Sequence, residues 1–187
     1  MGLVSNVLDW ILGPLPAKII LLGLDNAGKT TILYKIKQGQ VINTIPTDGF
    51  NVNINTVTHK SVNFTVYDIG GQDSNRDLWY NYYEEVEAVV YVVDSSDKNR
   101  MEESKLLLES ILRHELLYNC TLLVLNNKDD RLGTCSNEEV ASQLGLNQFN
   151  DRDLTIQSTC ALRGEGVWEG LDWLAKNIKK KKKRQLF

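Results

Sequence analysis

Eight residues near the start of the chain, Gly23-Leu24-Asp25-Asn26-Ala27-Gly28-Lys29-Thr30, constrain the fold more than any other stretch. They match the pattern G-x-x-x-x-G-K-[ST], which forms where a strand runs into a turn and the turn opens a helix. The flanks agree. Ala17 to Leu22 is a continuous apolar run of the kind a buried parallel strand needs, and Lys29 to Gln38 reads as a helix. The glycines let the backbone curl so that successive N–H groups converge, and the helix N-terminus adds the positive end of its dipole. Such a cradle suits phosphates. The loop and the residues around it, Leu24 to Thr31, are therefore candidate nucleotide contacts, with Lys29 reaching the β- and γ-phosphates and the Thr30 hydroxyl ligating Mg²⁺.

The rest of the chain repeats this strand–helix alternation. Gln40 to Gly49 reads as a polar loop. Phe50 to Val57 and Val62 to Asp68 alternate and are separated by the short polar link Thr58 to Ser61, which predicts a hairpin. Val86 to Val93, Thr121 to Leu125 and Leu154 to Ser158 read as further strands. Helices are expected from Asp97 to about His114, near Ser136 to Leu144 behind a Ser136/Glu139 capping box, and from Val167 to Ile178. The expected fold class is α/β: a doubly wound, mostly parallel six-stranded sheet with helices on both faces and its ligand at the carboxyl ends of the strands. Three regions are expected: an N-terminal helix and linker over residues 1–16, a nucleotide-binding domain over 17–178, and a polybasic tail over 179–187.

Three more motifs fall at strand ends. Asn127-Lys128-Asp129-Asp130 follows the strand Thr121 to Leu125. A carboxylate at Asp130 accepts from guanine N1–H and its exocyclic amine together, a donor pair adenine lacks, and such polar rejection reaches about 10⁴ to 10⁵-fold. Asn127, Lys128 and Asp130 are thus the expected base-binding set, and the backbone of Thr159-Cys160-Ala161 is expected to line the same pocket. Asp68-Ile69-Gly70-Gly71-Gln72 closes the hairpin strand. There Asp68 can hold Mg²⁺, the glycine backbone can approach a γ-phosphate, and the Gln72 amide can orient the attacking water. Gln72, Lys29 and Gly71 are the candidate catalytic residues. Thr47, in the loop before the hairpin, is a second candidate hydroxyl for Mg²⁺ beside Thr30 and Asp68, and Thr47 and Gly71 complete the nucleotide set.

Composition removes other classes. Apolar residues make up 42% and charged residues 24% of 187, the proportions of a folded globular chain. Three scattered cysteines argue against a disulfide framework and a zinc site and favour a reducing compartment. Both histidines, His59 and His114, are expected at the surface. No apolar run reaches the roughly 18 residues a membrane span needs. The net charge is −3, yet residues 176–184 carry seven cations and no acid, which leaves the remainder ten units negative. A basic end on an acidic body either meets a polyanion such as an anionic membrane or is a solvated run or an address read by a receptor.

At the N-terminus, Leu3, Val4, Val7, Leu8 and Ile11 recur at helical spacing, an amphipathic pattern that packs on the body or enters a membrane. Gly2 follows Met1 as N-myristoylation requires, although Asn6 stands where the simple pattern has Ser or Thr.

The stretches GLDNAGKTTIL, TIPTDGFNV, DIGGQD, NNKDD, TCA and EGLDWL resemble the ADP-ribosylation-factor branch of the Ras-like small GTPases. The resemblance spans nearly the whole chain. It implies a GTP/GDP switch with slow, Mg²⁺-dependent GTP hydrolysis, lipidation at Gly2, and membrane attachment in its GTP state. It also implies guanine-nucleotide exchange factors, GTPase-activating proteins and coat or tether effectors in vesicle traffic, with the Golgi as the expected membrane. No nucleic-acid partner is expected. Leu162 departs from the pattern, which has a small hydroxyl residue there. The rival readings are an ATP-using P-loop enzyme and a scaffold that holds nucleotide without turnover.

Overall fold

Alternation of apolar residues along the central strands decides the architecture. In β1 (Leu15–Leu22), Ile19 and Leu21 point to one face while Ile20 and Leu22 point to the other. β5 (Ala88–Asp94) and β6 (Thr121–Asn127) divide in the same way. Strands apolar on both faces need cover on both, and each fully buried Val, Leu or Ile contributes about 1.5–3 kcal/mol. Helices α1 (Lys29–Gln38) and α4 (Val167–Gln185) cover one face. Helices α2 (Met101–Leu112) and α3 (Asn137–Gln143) cover the other.

The structure is a computed structural model and describes residues 13–38, 44–45, 52–70 and 76–185. The sheet order is β2-β3-β4-β1-β5-β6-β7, with β2 at Thr44–Ile45, β3 at Val52–His59, β4 at Val62–Ile69 and β7 at Leu154–Thr159. β4, β1, β5, β6 and β7 run parallel; β2 and β3 are antiparallel additions at one edge. The six expected strands are all present, and two residues of the expected polar loop, Thr44 and Ile45, add a short seventh at the edge. β3 and β4 are joined by Lys60 and Ser61, with φ of 47° and 56°. Two residues at positive φ make a turn whose twist matches that of the hairpin strands.

Other boundaries move. β6 continues to Asn127, two residues past the apolar run. α2 begins at Met101, after a single 3₁₀ turn at Lys98–Arg100. α3 starts as expected, with the Ser136 hydroxyl accepting from the Glu139 N–H and the Glu139 carboxylate accepting from the Ser136 N–H. α4 does not stop at Ile178. It runs on through the lysines to Gln185, because side chains of that last stretch bond to the body. Among the described residues no helix is long and apolar enough to cross a membrane. Cys120, Cys135 and Cys160 are buried free thiols.

Candidate nucleotide site

The parallel strands end on one edge of the sheet, and that edge gathers the motifs. After β1 the chain turns at Gly23 with φ 140° and at Gly28 with φ 101°. Neither turn tolerates a side chain. A Cβ on Gly23 falls 2.3 Å from the Val92 carbonyl oxygen, and one on Gly28 falls 2.3 Å from Asn127 Nδ2. The loop is thus pressed against β5 and β6, and glycine is the residue that permits both the dihedral and the contact.

Lys29 is buried, and its ammonium donates to the carbonyls of Gly23 (3.0 Å) and Leu24 (2.8 Å). Burial pushes its pKa down to about 8, with the Asp68 and Asp25 carboxylates acting in the opposite direction. Next to it the Thr30 hydroxyl donates to Asp68 Oδ2 at 3.0 Å, across from the end of β1 to the end of β4. Asp68 is 3% exposed. A hydroxyl and one carboxylate in contact beside a phosphate-type loop are hard oxygen donors of the kind Mg²⁺ takes, since that ion fills most of its shell from phosphate and water. These residues fit the ion, whereas no group of three or more His, Cys, Asp or Glu that would suit a dedicated metal cage occurs among the described residues.

Asn127, the last residue of β6, is 1% exposed and joins three segments. Its Nδ2 donates to the Ala27 carbonyl at 2.8 Å, and its Oδ1 accepts from the Ala161 N–H at 3.0 Å and the Thr159 hydroxyl at 3.2 Å. That side chain ties the phosphate loop to the Thr159–Ala161 segment. Beyond it a cavity of about 160 Å³ is lined by Gly28, Thr31, Asn127, Lys128, Asp130, Arg131, Ala161 and Leu162. Asp130 presents an exposed carboxylate there, held below its ordinary range by a hydrogen bond from Cys160. Lys128 pairs with Asp94 at 2.6 Å. Burial works to raise the Asp94 carboxyl, but bonds from Lys128 and Ser96 outweigh it and leave the pKa lowered.

The structure adds partners and residues that the motifs alone do not show. Asp25 is an acid inside an anion-binding loop, and Arg100 bonds it at 2.7 Å, which lowers its pKa. Arg100 also bonds Glu103 at 2.8 Å, and Arg76 reaches Glu103 at 2.9 Å. The one clue in sequence was the acid itself, which needs a cation beside phosphates. Arg131 and Leu162 complete the cavity beyond Asn127. Trp79 is buried, and its indole N–H donates to the Gly70 carbonyl at 3.1 Å, fixing the exit of β4. His59 is not the surface residue expected. Its side chain is 14% exposed, 2.5 Å from Asp172 on α4, and packed against Trp168 with ring centroids 5.0 Å apart. Thr47, Gly71, Gln72, Gly2 and the apolar segment 2–12 lie outside the described residues.

A phosphate loop that shares one sheet edge with its partner acid and with the cavity at Asn127 to Asp130 defines a P-loop nucleotide-binding protein of the small GTPase class. Comparison with known proteins narrows the class. Residues 5–178 match the model of the ADP-ribosylation factor family. The fold is similar to that of the Arl6 (BBS3) small GTPase from Trypanosoma brucei, solved with the bound nucleotide analogue GppNp. The TM-score is 0.78 at 34% sequence identity, covering 88% of this chain and 98% of that one. The chain belongs to the ADP-ribosylation factor family. It is accordingly a GTP-hydrolysing enzyme that works with GTP, GDP and Mg²⁺, and it shares the general small-GTPase dependence on exchange factors, activating proteins and effectors.

Proposed function

We propose that the chain is a membrane-linked GTP/GDP switch. In its GTP state it brings effectors such as coats or tethers to endomembranes, the Golgi foremost, in vesicle-mediated transport, and otherwise it is cytoplasmic. The observation that carries the nucleotide half of this reading is the contact of Thr30 with Asp68 beside buried Lys29. In this reading the Lys29 ammonium leaves the Gly23 and Leu24 carbonyls for the β- and γ-phosphates, so its positive charge trades two neutral acceptors for anionic ones. Thr30, Asp68 and Thr47 would hold Mg²⁺, which would supply positive charge against the phosphates. Asp130 accepts from guanine, while Lys128, Ala161 and the segment at Cys160 wall the base. Gln72 orients the attacking water and the Gly71 backbone faces the γ-phosphate. Arg100 is occupied by Asp25 and Glu103, which agrees with a slow intrinsic rate that an activating protein raises.

The membrane half rests on the apolar spacing of residues 2–12 and on Gly2 as a myristoylation site. One myristoyl chain binds only marginally, with K about 10⁴ M⁻¹, so the apolar segment supplies the second signal. Flotation of the myristoylated protein with liposomes tests this reading. GTP loading is expected to raise flotation and Gly2→Ala to lower it, and equal flotation of GDP and GTP forms would remove the coupling. Asp130→Asn is expected to shift preference from guanine to xanthine nucleotides, and unchanged GDP affinity without that gain would remove the base assignment.

A further inference from the structure

The lysine run at the end of α4 is two sets of residues with opposite directions. Lys181 donates to the Asn119 carbonyl. Lys182 donates to the Pro16 carbonyl and pairs with Glu87 at 2.6 Å. Both are half-buried and staple the helix to the body. Lys176, Lys179, Lys180 and Lys183 recur at i, i+3, i+4 and i+7, which puts them on one helix face. With Arg184 they line an open hollow of about 550 Å³ to which no acidic residue contributes. A flexible tail would spread such charges apart. Here the buried row Leu171, Leu174, Ala175 and Ile178 and the two inward lysines hold them together.

We propose that this face is a docking surface for an anionic bilayer and sets which side of the GTPase meets the lipid. The inference rests on the reading above that residues 2–12 meet a membrane. The choice of a bilayer follows from position. Lys182 bonds to Pro16, so the end of α4 that carries the cationic face lies beside the point where the chain enters β1. Three residues, Gly13 to Leu15, separate Pro16 from the apolar segment, and an extended chain covers at most about 3.6 Å per residue. The apolar segment and the cations therefore reach the same surface. A surface that receives Leu3, Leu8 and Ile11 together with five cations is a bilayer with acidic headgroups; a nucleic acid or an acidic peptide answers only the cations. Each lysine near an anionic leaflet adds about fivefold in affinity, and screening over about 8 Å confines the effect to contact.

The test uses the full-length protein loaded with GDP or GppNp and sedimented with phosphatidylcholine vesicles, with or without phosphatidylserine. The variant K176Q/K179Q/K180Q/K183Q is expected to lose on the order of 600-fold in binding to the phosphatidylserine vesicles. The loss should be the same in both nucleotide states, absent on phosphatidylcholine alone and erased by salt, with the melting temperature kept. K181Q/K182Q is expected to lower the melting temperature and to cost less than about fivefold in vesicle binding. The proposal is overturned if the four-residue variant binds phosphatidylserine vesicles as the wild type does, or if the inward pair costs as much. It is also overturned if the four-residue variant loses affinity only for a DNA duplex or for polyglutamate, which would give the face to another partner. GTP-dependent binding to pure phosphatidylcholine reports on the N-terminal segment alone. Its absence would sink the membrane-switch reading while the phosphatidylserine increment still judges this face.

Discussion

Two buried asparagines on the same sheet are treated in opposite ways. Asn127 in β6 bonds both ends of its amide and joins three segments at the nucleotide edge. Asn55 in β3 is equally buried, at 1% exposure, shares the sheet face of Val57, and has neither amide atom bonded. The parallel side of the site is thus locked by polar contacts made in the dry interior, where each is strong. The hairpin side carries an unmet desolvation cost instead, and its far end is tied down by the His59–Asp172 pair. The difference shows that a buried amide can be a joint or a liability according to its partners alone. It also places the hydrogen-bonded joint beside the phosphate loop.

The largest effect is expected where the joint is cut. Asn127→Ala leaves the Ala27 carbonyl, the Ala161 N–H and the Thr159 hydroxyl without partners, each at about 1–3 kcal/mol. A loss of about 3–5 kcal/mol is expected in denaturant unfolding, with faster GDP release. A loss under about 1 kcal/mol would deny Asn127 its place as the joint. Asn55→Leu is expected to move the other way and stabilise the protein by about 1–2 kcal/mol, since it removes an unpaired polar group at nearly constant shape. A lower melting temperature in that variant would show that the amide has a use the static contacts do not reveal. Asp172→Ala should cost about 0.5–1 kcal/mol, because its carboxylate is half exposed, and should speed hydrogen exchange at the Lys60–Ser61 turn. Exchange there as slow as in the wild type would leave the hairpin end without its latch.

The smallest effect concerns the link between the phosphate loop and α2. Hydrogen bonds from Arg100 and Arg76 hold Glu103 at about 2 instead of 4.5. A carboxyl lowered on folding contributes stability above its unfolded pKa and loses it as pH falls through the folded one. Its share is therefore lost between about pH 4.5 and 2, and it is small because the side chain is 39% exposed. Glu103→Gln should flatten the melting temperature between pH 5 and pH 3. Identical slopes in variant and wild type would remove Glu103 from the acid response.

Much of this was legible from residue order because the governing interactions are local. The phosphate loop needs its glycines and lysine at fixed spacing, and the Ser136–Glu139 box is written within four residues. The core of each central strand shows as an apolar run. What escaped depends on partners far along the chain. Asn127 reads as lying past the apolar pattern, yet it ends β6 with its amide bonded to Ala27, a hundred residues back. Lys179 to Gln185 read as a tail, since nothing in a lysine run announces that Glu87 and the Pro16 carbonyl will anchor it. His59 looked like a polar residue in a link, and its burial comes from Trp168 and Asp172, over a hundred positions away. Asp25 stands in the loop motif, while its counterion Arg100 lies 75 residues on.

The length of α4 has a mechanical consequence. Its nineteen residues make a rod of about 28 Å. Beyond the last buried side chain, Ile178, roughly 10 Å of that rod continues to Gln185. A fluorophore attached at Gln185 would ride on a stiff arm and not on a string, so its transition dipole would turn with the whole protein. Polarised emission from such a label would then report the tilt of the GTPase on any surface that holds it.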